Sequence, residues 1–184
     1  MRVDPTSGLV EGARYVSSPN QDERPLGVEP ELVVVHGISL PPGELGGPWI
    51  DHLFTNRLDP EAHPYFREIA GLQVSAHLLV RRDGELVQYV PLHRRARHAG
   101  VSRWRGREAV NDFSIGVELE GTDELPYEEV QYRRLAELVR ALAELYPKIT
   151  PDRIAGHSEV APGRKTDPGP AFDWQRLREL LREG

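Results

Sequence analysis

NDFSIGVELEGTD, residues 111–123, decides how this chain folds. Within it residues 113–120 alternate strictly: Phe113, Ile115, Val117 and Leu119 fall on one side, Ser114, Gly116, Glu118 and Glu120 on the other. A period of two is that of a pleated strand, whose successive side chains point to opposite faces of a sheet. One face must therefore meet an apolar core, while the other carries two carboxylates. Upstream, ELVVVH at residues 31–36 is a β-branched run between Pro30 and Gly37, which reads as a strand buried on both faces in the middle of a sheet. SAHLLVR (75–81) and ELVQYV (85–90) flank Asp83-Gly84, a dipeptide tolerant of left-handed backbone, and are expected to pair as an antiparallel hairpin.

Helical periods lie further out. Between residues 127 and 146, Val130, Leu135, Leu138, Val139, Leu142 and Leu145 recur at steps of three and four, the stripe of an amphipathic helix that Pro147 brings to a stop. Trp174, Leu177, Leu180 and Leu181 give residues 173–182 the same character, and a shorter helix is expected at 49–55. Residues 39–71 are rich in Gly and Pro with little periodicity, and their Trp49, Phe54, Tyr65 and Phe66 favour a packed binding or lid loop. The expected fold class is α/β (α+β), a central mixed β-sheet flanked by helices. Residues 1–184 show no repeat or linker at which to divide them and are read as one domain, with its motifs over about 31–182.

Composition excludes several function classes. A formal charge of -6 gives no general attraction for nucleic acid or anionic lipid. With no cysteine there is no disulfide, thiolate metal site, iron-sulfur cluster or cysteine nucleophile, so any metal must use His and carboxylate. The opening MRVDPTSGLVEGARYV lacks the apolar run of a secretory signal, and no stretch approaches a membrane span. A soluble cytoplasmic protein is expected, without a nucleic-acid or membrane partner.

Seven histidines remain to be placed. His36 closes an apolar strand, where its imidazole either emerges at the sheet edge or caps the strand by hydrogen bonding. IAGHSEVAPGRKTDPGP, residues 154–170, sets His157, Lys165 and Asp167 in one segment broken by Gly and Pro; alone, it is equally a solvated polar loop. Taken together, His36, His157 and Asp167 offer two nitrogens and one carboxylate oxygen with a fourth tetrahedral position open, the composition of a catalytic zinc site. Amide hydrolysis at such a site also needs a base and a cation for the oxyanion, for which Glu118 and Lys165 are candidates. Glu120 shares a face with Glu118, so spacing leaves the two acids unresolved. His77 and His98 read as pocket residues, and His52, His63 and His93 as loop or surface residues.

VVVHGISLPPGELGGPWI, DPEAHPYF, VSAHLLVRRDGELVQYVP, RHAGVS, NDFSIGVELEGTD and GHSEVAPGRKTDPGPAFDW, in that order, closely resemble the cytosolic anhydro-N-acetylmuramoyl-L-alanine amidase family of the AmpD type, related to peptidoglycan recognition proteins and phage amidase lysozymes. The resemblance runs from about Val33 to Trp174. It implies a zinc at the rim of a mixed sheet, with His36, His157 and Asp167 as ligands. It further implies Glu118 as general base, Lys165 as the oxyanion's partner, and hydrolysis of muropeptides during peptidoglycan recycling; a monomer is expected. Where the family commonly has Asn and two basic residues, this chain has Gly37, Gln73 and Ala109, and Arg81, Arg105 or Arg107 is the expected compensation. The rival readings are a non-catalytic muropeptide-binding module and an unrelated zinc peptidase, the latter lacking an HExxH helix.

Overall fold

Residues 1–183 are described by a computed structural model of the chain. The β-branched run becomes β2 (Leu32–Ile38), between the edge strand β1 (Arg14–Tyr15) and the hairpin β3 (Leu78–Val80) and β4 (Leu86–Gln88) in sequence; β5 (Ser114–Glu120) and β6 (Ile154–Gly156) complete a sheet of order β6-β2-β5-β3-β4-β1. β6, β2, β5 and β3 run parallel, the β3–β4 hairpin is antiparallel, and β1 pairs parallel with β4. The sheet is thus mixed, with β2 internal as its unbroken apolar sequence requires. Gly84 turns the hairpin at a φ of +86°, a conformation that glycine adopts without penalty.

One face of the sheet is covered by α3 (Glu129–Leu145) and α5 (Trp174–Arg182). Val33 and Val35 of β2 and Ile115, Val117 and Leu119 of β5 pack there against Leu135, Leu138, Leu142, Leu177 and Leu180. Burial of side chains of this size is worth roughly 1.5–3 kcal/mol each, which makes this layer the main source of stability. Gln131 of α3 fixes the helix to the strand ends, its amide donating to the carbonyls of Val80 (3.2 Å) and Glu120 (3.0 Å). Asp173 caps α5 by accepting from the Arg176 N–H at 2.9 Å. Val130, expected in the apolar stripe, is instead exposed at the helix start, where it lies over Gly84 of the hairpin.

Residues 39–71 hold more regular structure than expected. α1 (Trp49–Phe54) and α2 (Phe66–Ile69) fold within them, and Ile50, Leu53, Phe54 and Phe66 pack with Leu79, Val87 and Tyr89 into a second core on the opposite face of the sheet. α1 matches the short helix expected at 49–55, while α2 is a single turn that periodicity does not reveal; aromatic residues supply the burial that holds both. The 154–170 segment also differs from a plain loop. It opens with β6, and the next residue, His157, begins the helical turn α4 (His157–Val160).

Candidate metal centre

Parallel pairing places the site. His36 of β2 lies directly opposite Glu118 of β5, and Gly156 of β6 pairs with Val35, so His157 arrives at the same level as His36. These are the carboxyl ends of three parallel strands, where open α/β sheets present ligands. Asp167 returns through the 161–166 loop, its carbonyl accepting from the Ser158 N–H at 2.9 Å, which aims the carboxylate at the two imidazoles.

Three atoms converge. His36 Nδ1 and His157 Nδ1 are 3.0 Å apart, and Asp167 Oδ2 lies 3.0 Å from the latter and 3.3 Å from the former. Tetrahedral coordination with metal–ligand bonds of about 2.0–2.2 Å spaces its ligands about 3.3 Å apart, so the triangle has the dimensions of one face of such a site. His157 Nε2 faces the Ala99 carbonyl at 3.4 Å, which leaves the lone pair on Nδ1. Donor chemistry and spacing both fit a divalent metal ion.

The electrostatics agree. Burial, opposed by the Asp167 carboxylate, lowers the His36 pKa to about 4, which keeps the ring neutral. Burial alone would raise the Asp167 carboxyl, but the His157 and His36 rings beside it outweigh that and hold the group below the usual carboxylate range. Glu118 is pushed well above that range, first by burial and then by the Asp167 charge, with Lys165 opposing. Its Oε2 has no hydrogen-bond partner, the one carboxylate oxygen among the described residues that is buried and unpaired.

Glu120 stands in contrast. Its Oε1 accepts from the Gly46 N–H (2.7 Å) and Arg81 (3.2 Å), and its Oε2 from the Arg82 N–H (3.2 Å). Glu120 is thereby an anchor for the 39–71 segment, whereas Glu118 is left facing a cleft of about 680 Å³ that His36, His157, Lys165 and Asp167 also line. Arg81 is held by Glu120, Arg105 by Asp152, and Arg107 by Glu31. None of those three lines the cleft; the arginines that do are Arg97 and Arg164. At Gly37 the Tyr127 hydroxyl occupies the space a side chain would need, and it donates to the Pro168 carbonyl at 3.0 Å. His52 and His63 sit among the aromatic side chains of α1 and α2, and His93 is exposed, none of them in the cleft.

The family model for N-acetylmuramoyl-L-alanine amidase matches residues 26–170. The chain belongs to the N-acetylmuramoyl-L-alanine amidase family. Within this amidase family it is 62% identical to the 1,6-anhydro-N-acetylmuramyl-L-alanine amidase AmpD of Escherichia coli (strain K12), across 95% of this chain and 94% of that protein. It superposes on a crystal structure of a selenomethionine AmpD derivative with a TM-score of 0.95, at 58% identity over 98% of this chain and 99% of the other. A more distant amidase, E. coli AmiD in complex with the substrate anhydro-N-acetylmuramic acid-L-Ala-D-γ-Glu-L-Lys, aligns with a TM-score of 0.60 at 30% identity, covering 86% of this chain and 60% of AmiD.

Proposed function

We propose that this protein hydrolyses the lactyl-amide bond between 1,6-anhydro-N-acetylmuramic acid and L-alanine of muropeptides, with zinc held by His36, His157 and Asp167. The observation that carries the reading is the unpaired, buried Glu118 Oε2, one strand away from His36 beside a three-ligand centre. Two nitrogens and one oxygen suit zinc. The ion, when bound, supplies Lewis acidity to the scissile carbonyl and acidity to an attacking water. Glu118 takes the proton from that water as it adds to the lactyl carbonyl carbon. The raised proton affinity of Glu118 matches this task, since a carboxyl poised nearer neutrality both accepts and returns a proton. Lys165 places its ammonium against the negative charge that develops on the carbonyl oxygen. Glu118 then protonates the alanine nitrogen, the C–N bond breaks, and a lactyl carboxylic acid and a free peptide amine result.

The 1,6-anhydro sugar is supported by the near full-length likeness to AmpD. Arg97 and Arg164 supply positive charge in the same cleft for stem-peptide carboxylates. No described helix is long and apolar enough to cross a membrane. We place the activity in the cytoplasm, as a monomer recycling peptidoglycan fragments.

Incubation of metal-loaded protein with an anhydro-muropeptide, followed by mass spectrometry, tests the reading. Two products whose masses sum to substrate plus one water are expected. Substrate of unchanged mass would overturn it and leave a muropeptide-binding module. Zinc content measured on the same sample checks the metal.

A further inference from the structure

Behind the metal triad lies a chain of hydrogen bonds that the reaction itself does not use. His36 Nε2, the nitrogen facing away from the triad, is 2.8 Å from His98 Nδ1, and His98 Nε2 is 3.1 Å from Ser114 Oγ. The Ser114 hydroxyl lies 2.7 Å from the Val110 carbonyl, which can only accept. That endpoint fixes every proton along the chain. Ser114 donates its one hydrogen to Val110, so its oxygen accepts from His98 Nε2–H. A neutral His98 protonated at Nε2 presents a lone pair at Nδ1, and this accepts from His36 Nε2–H. His36 is then obliged to carry its own lone pair on Nδ1, the atom 3.0 Å from His157 Nδ1 and 3.3 Å from Asp167 Oδ2.

We infer that His98 is a positioning residue for the metal centre: through Ser114 and the Val110 carbonyl it locks the tautomer and ring plane of His36, so that Nδ1 is permanently available as a ligand. The inference rests on the reading of His36 as a metal ligand given above. A ligating imidazole whose other nitrogen is hydrogen-bonded is oriented before the metal arrives, and loss of such an outer partner commonly costs about 10–100-fold in metal affinity.

The strand is shaped for this arrangement. Gly116 lies two residues from Ser114 on the same face of β5, and a Cβ there would fall 2.6 Å from His98 Nδ1 and 2.7 Å from its Cδ2. Only glycine leaves the ring room to sit edge-on to His36, the two rings meeting at 90° with centroids 5.0 Å apart. His77 is near but does not take part. Its Nδ1 accepts from the Gly116 N–H at 3.0 Å, and its Nε2 faces the Arg94 carbonyl at 3.0 Å and Arg24 Nη2 at 3.1 Å, so both nitrogens are engaged away from His36 and His98. His77 braces the strand, and the relay runs through His98 alone.

Metal affinity of the full chain, measured by competition for zinc with a chromophoric chelator, tests the assignment. His98→Phe keeps a ring but removes both hydrogen bonds, and affinity should fall about 10–100-fold. His98→Asn restores an acceptor at the position of Nδ1 and should recover most of that loss. Ser114→Ala, which touches no ligand, frees His98 to adopt its other tautomer and should weaken zinc binding in the same direction by a smaller factor. In metal-free wild-type protein, the ¹⁵N resonances of the His36 ring should report protonation at Nε2, and in His98→Phe a mixture of tautomers. Unchanged zinc affinity in a folded His98→Phe variant, equal losses in the Phe and Asn variants, or a His36 ring protonated at Nδ1 in the wild type would each overturn the inference. A wild-type protein that takes up no zinc would instead overturn the metal reading on which it stands.

Discussion

The two faces of the central sheet are built from the same strands but differ at the carboxyl ends of β2 and β5. On the face under α3 and α5, β2 and β5 contribute Val33, Val35, Ile115, Val117 and Leu119, all packed into one apolar layer. On the other, the same strands contribute His36, Ser114, Gly116, Glu118 and Glu120. Every substitution on the first face acts through volume and contact, so its cost falls on stability. On the second, apolar packing continues through Leu32 and Val34 and the core under α1 and α2, but at the carboxyl ends of β2 and β5 individual side chains have a particular proton or charge to provide, and stability is given up locally, most visibly at the unpaired Glu118 oxygen. The apolar face lets the fold tolerate a buried carboxylate with an unpaired oxygen and only the Lys165 charge to favour its ionised form.

The largest expected effect lies on the polar face. Glu118→Gln should lower turnover by at least about 10²–10⁴, the typical contribution of a positioned acid-base group, while zinc content stays at the wild-type level. Product formation by mass spectrometry and metal analysis of one preparation check both halves. Full turnover in the variant would remove Glu118 from the mechanism. Truncation on the apolar face should do the reverse. Leu138→Ala is expected to destabilise the fold by about 2–5 kcal/mol, the usual cost of deleting a buried leucine, with kcat of the folded fraction unchanged. A loss of kcat beyond the fraction unfolded would mean that the faces are coupled.

Acid separates the faces further, and the sign differs between groups. His36 has a folded pKa of about 4 against an ordinary value of 6.5. Between those values the unfolded chain binds the extra proton, so stability of the metal-free protein rises with pH across this window and is lost on acidification. The full window is worth at most about 3 kcal/mol. His77 and His98, depressed chiefly by burial, act in the same direction. Glu118 opposes them: its folded pKa is raised, so the unfolded chain releases the proton first and stability falls as pH climbs above 4.5. Chelated Glu118→Gln protein should therefore show a steeper rise in urea midpoint from pH 4 to 6.5 than chelated wild type, and greater stability at neutral pH. Parallel curves would mean that Glu118 titrates as an ordinary surface acid.

Much of this division was legible in the sequence. Alternation over residues 114–120 separated the faces of β5, although Phe113, expected on the same side as Ile115, ends the turn before the strand and packs in a separate cluster; the 127–146 stripe placed the covering helix, and Asp83-Gly84 placed the hairpin. The triad was legible only once His36 and the 154–170 segment were considered together, because a metal site joins residues that folding brings from distant positions. Short elements escaped: β1 has two residues and β6 three, below the length at which period two can be recognised, and α2 is a single turn held by packing, whereas α1 falls within one residue of the helix expected at 49–55. The role of His98 was illegible for another reason. It depends on the direction of a hydroxyl at Ser114 and an absent side chain at Gly116, and neither is a feature of the RHAG segment itself.

The choice between Glu118 and Glu120 shows the limit most clearly and provides the mildest test. Two residues apart on one strand, the acids are equivalent in any alternation pattern, and only groups from other parts of the chain distinguish them. Arg81, the Arg82 N–H and the Gly46 N–H all converge on Glu120, so it binds together the β3–β4 hairpin, β5 and the 39–71 segment. Glu120→Gln retains one carbonyl acceptor and loses the charge that holds Arg81, which still has Glu85 at 3.2 Å. Destabilisation of about 1–3 kcal/mol is expected, in line with weakening a charged hydrogen bond in a buried setting. Because the 39–71 segment forms part of the cleft wall, KM should rise a few-fold while kcat is held, the mark of looser substrate binding with the chemistry intact. The same chemical change two residues earlier should abolish kcat and spare the fold. If both variants instead lost kcat to a similar degree, the two carboxylates would be acting as one unit, and the assignment of base to Glu118 and anchor to Glu120 would have to be given up.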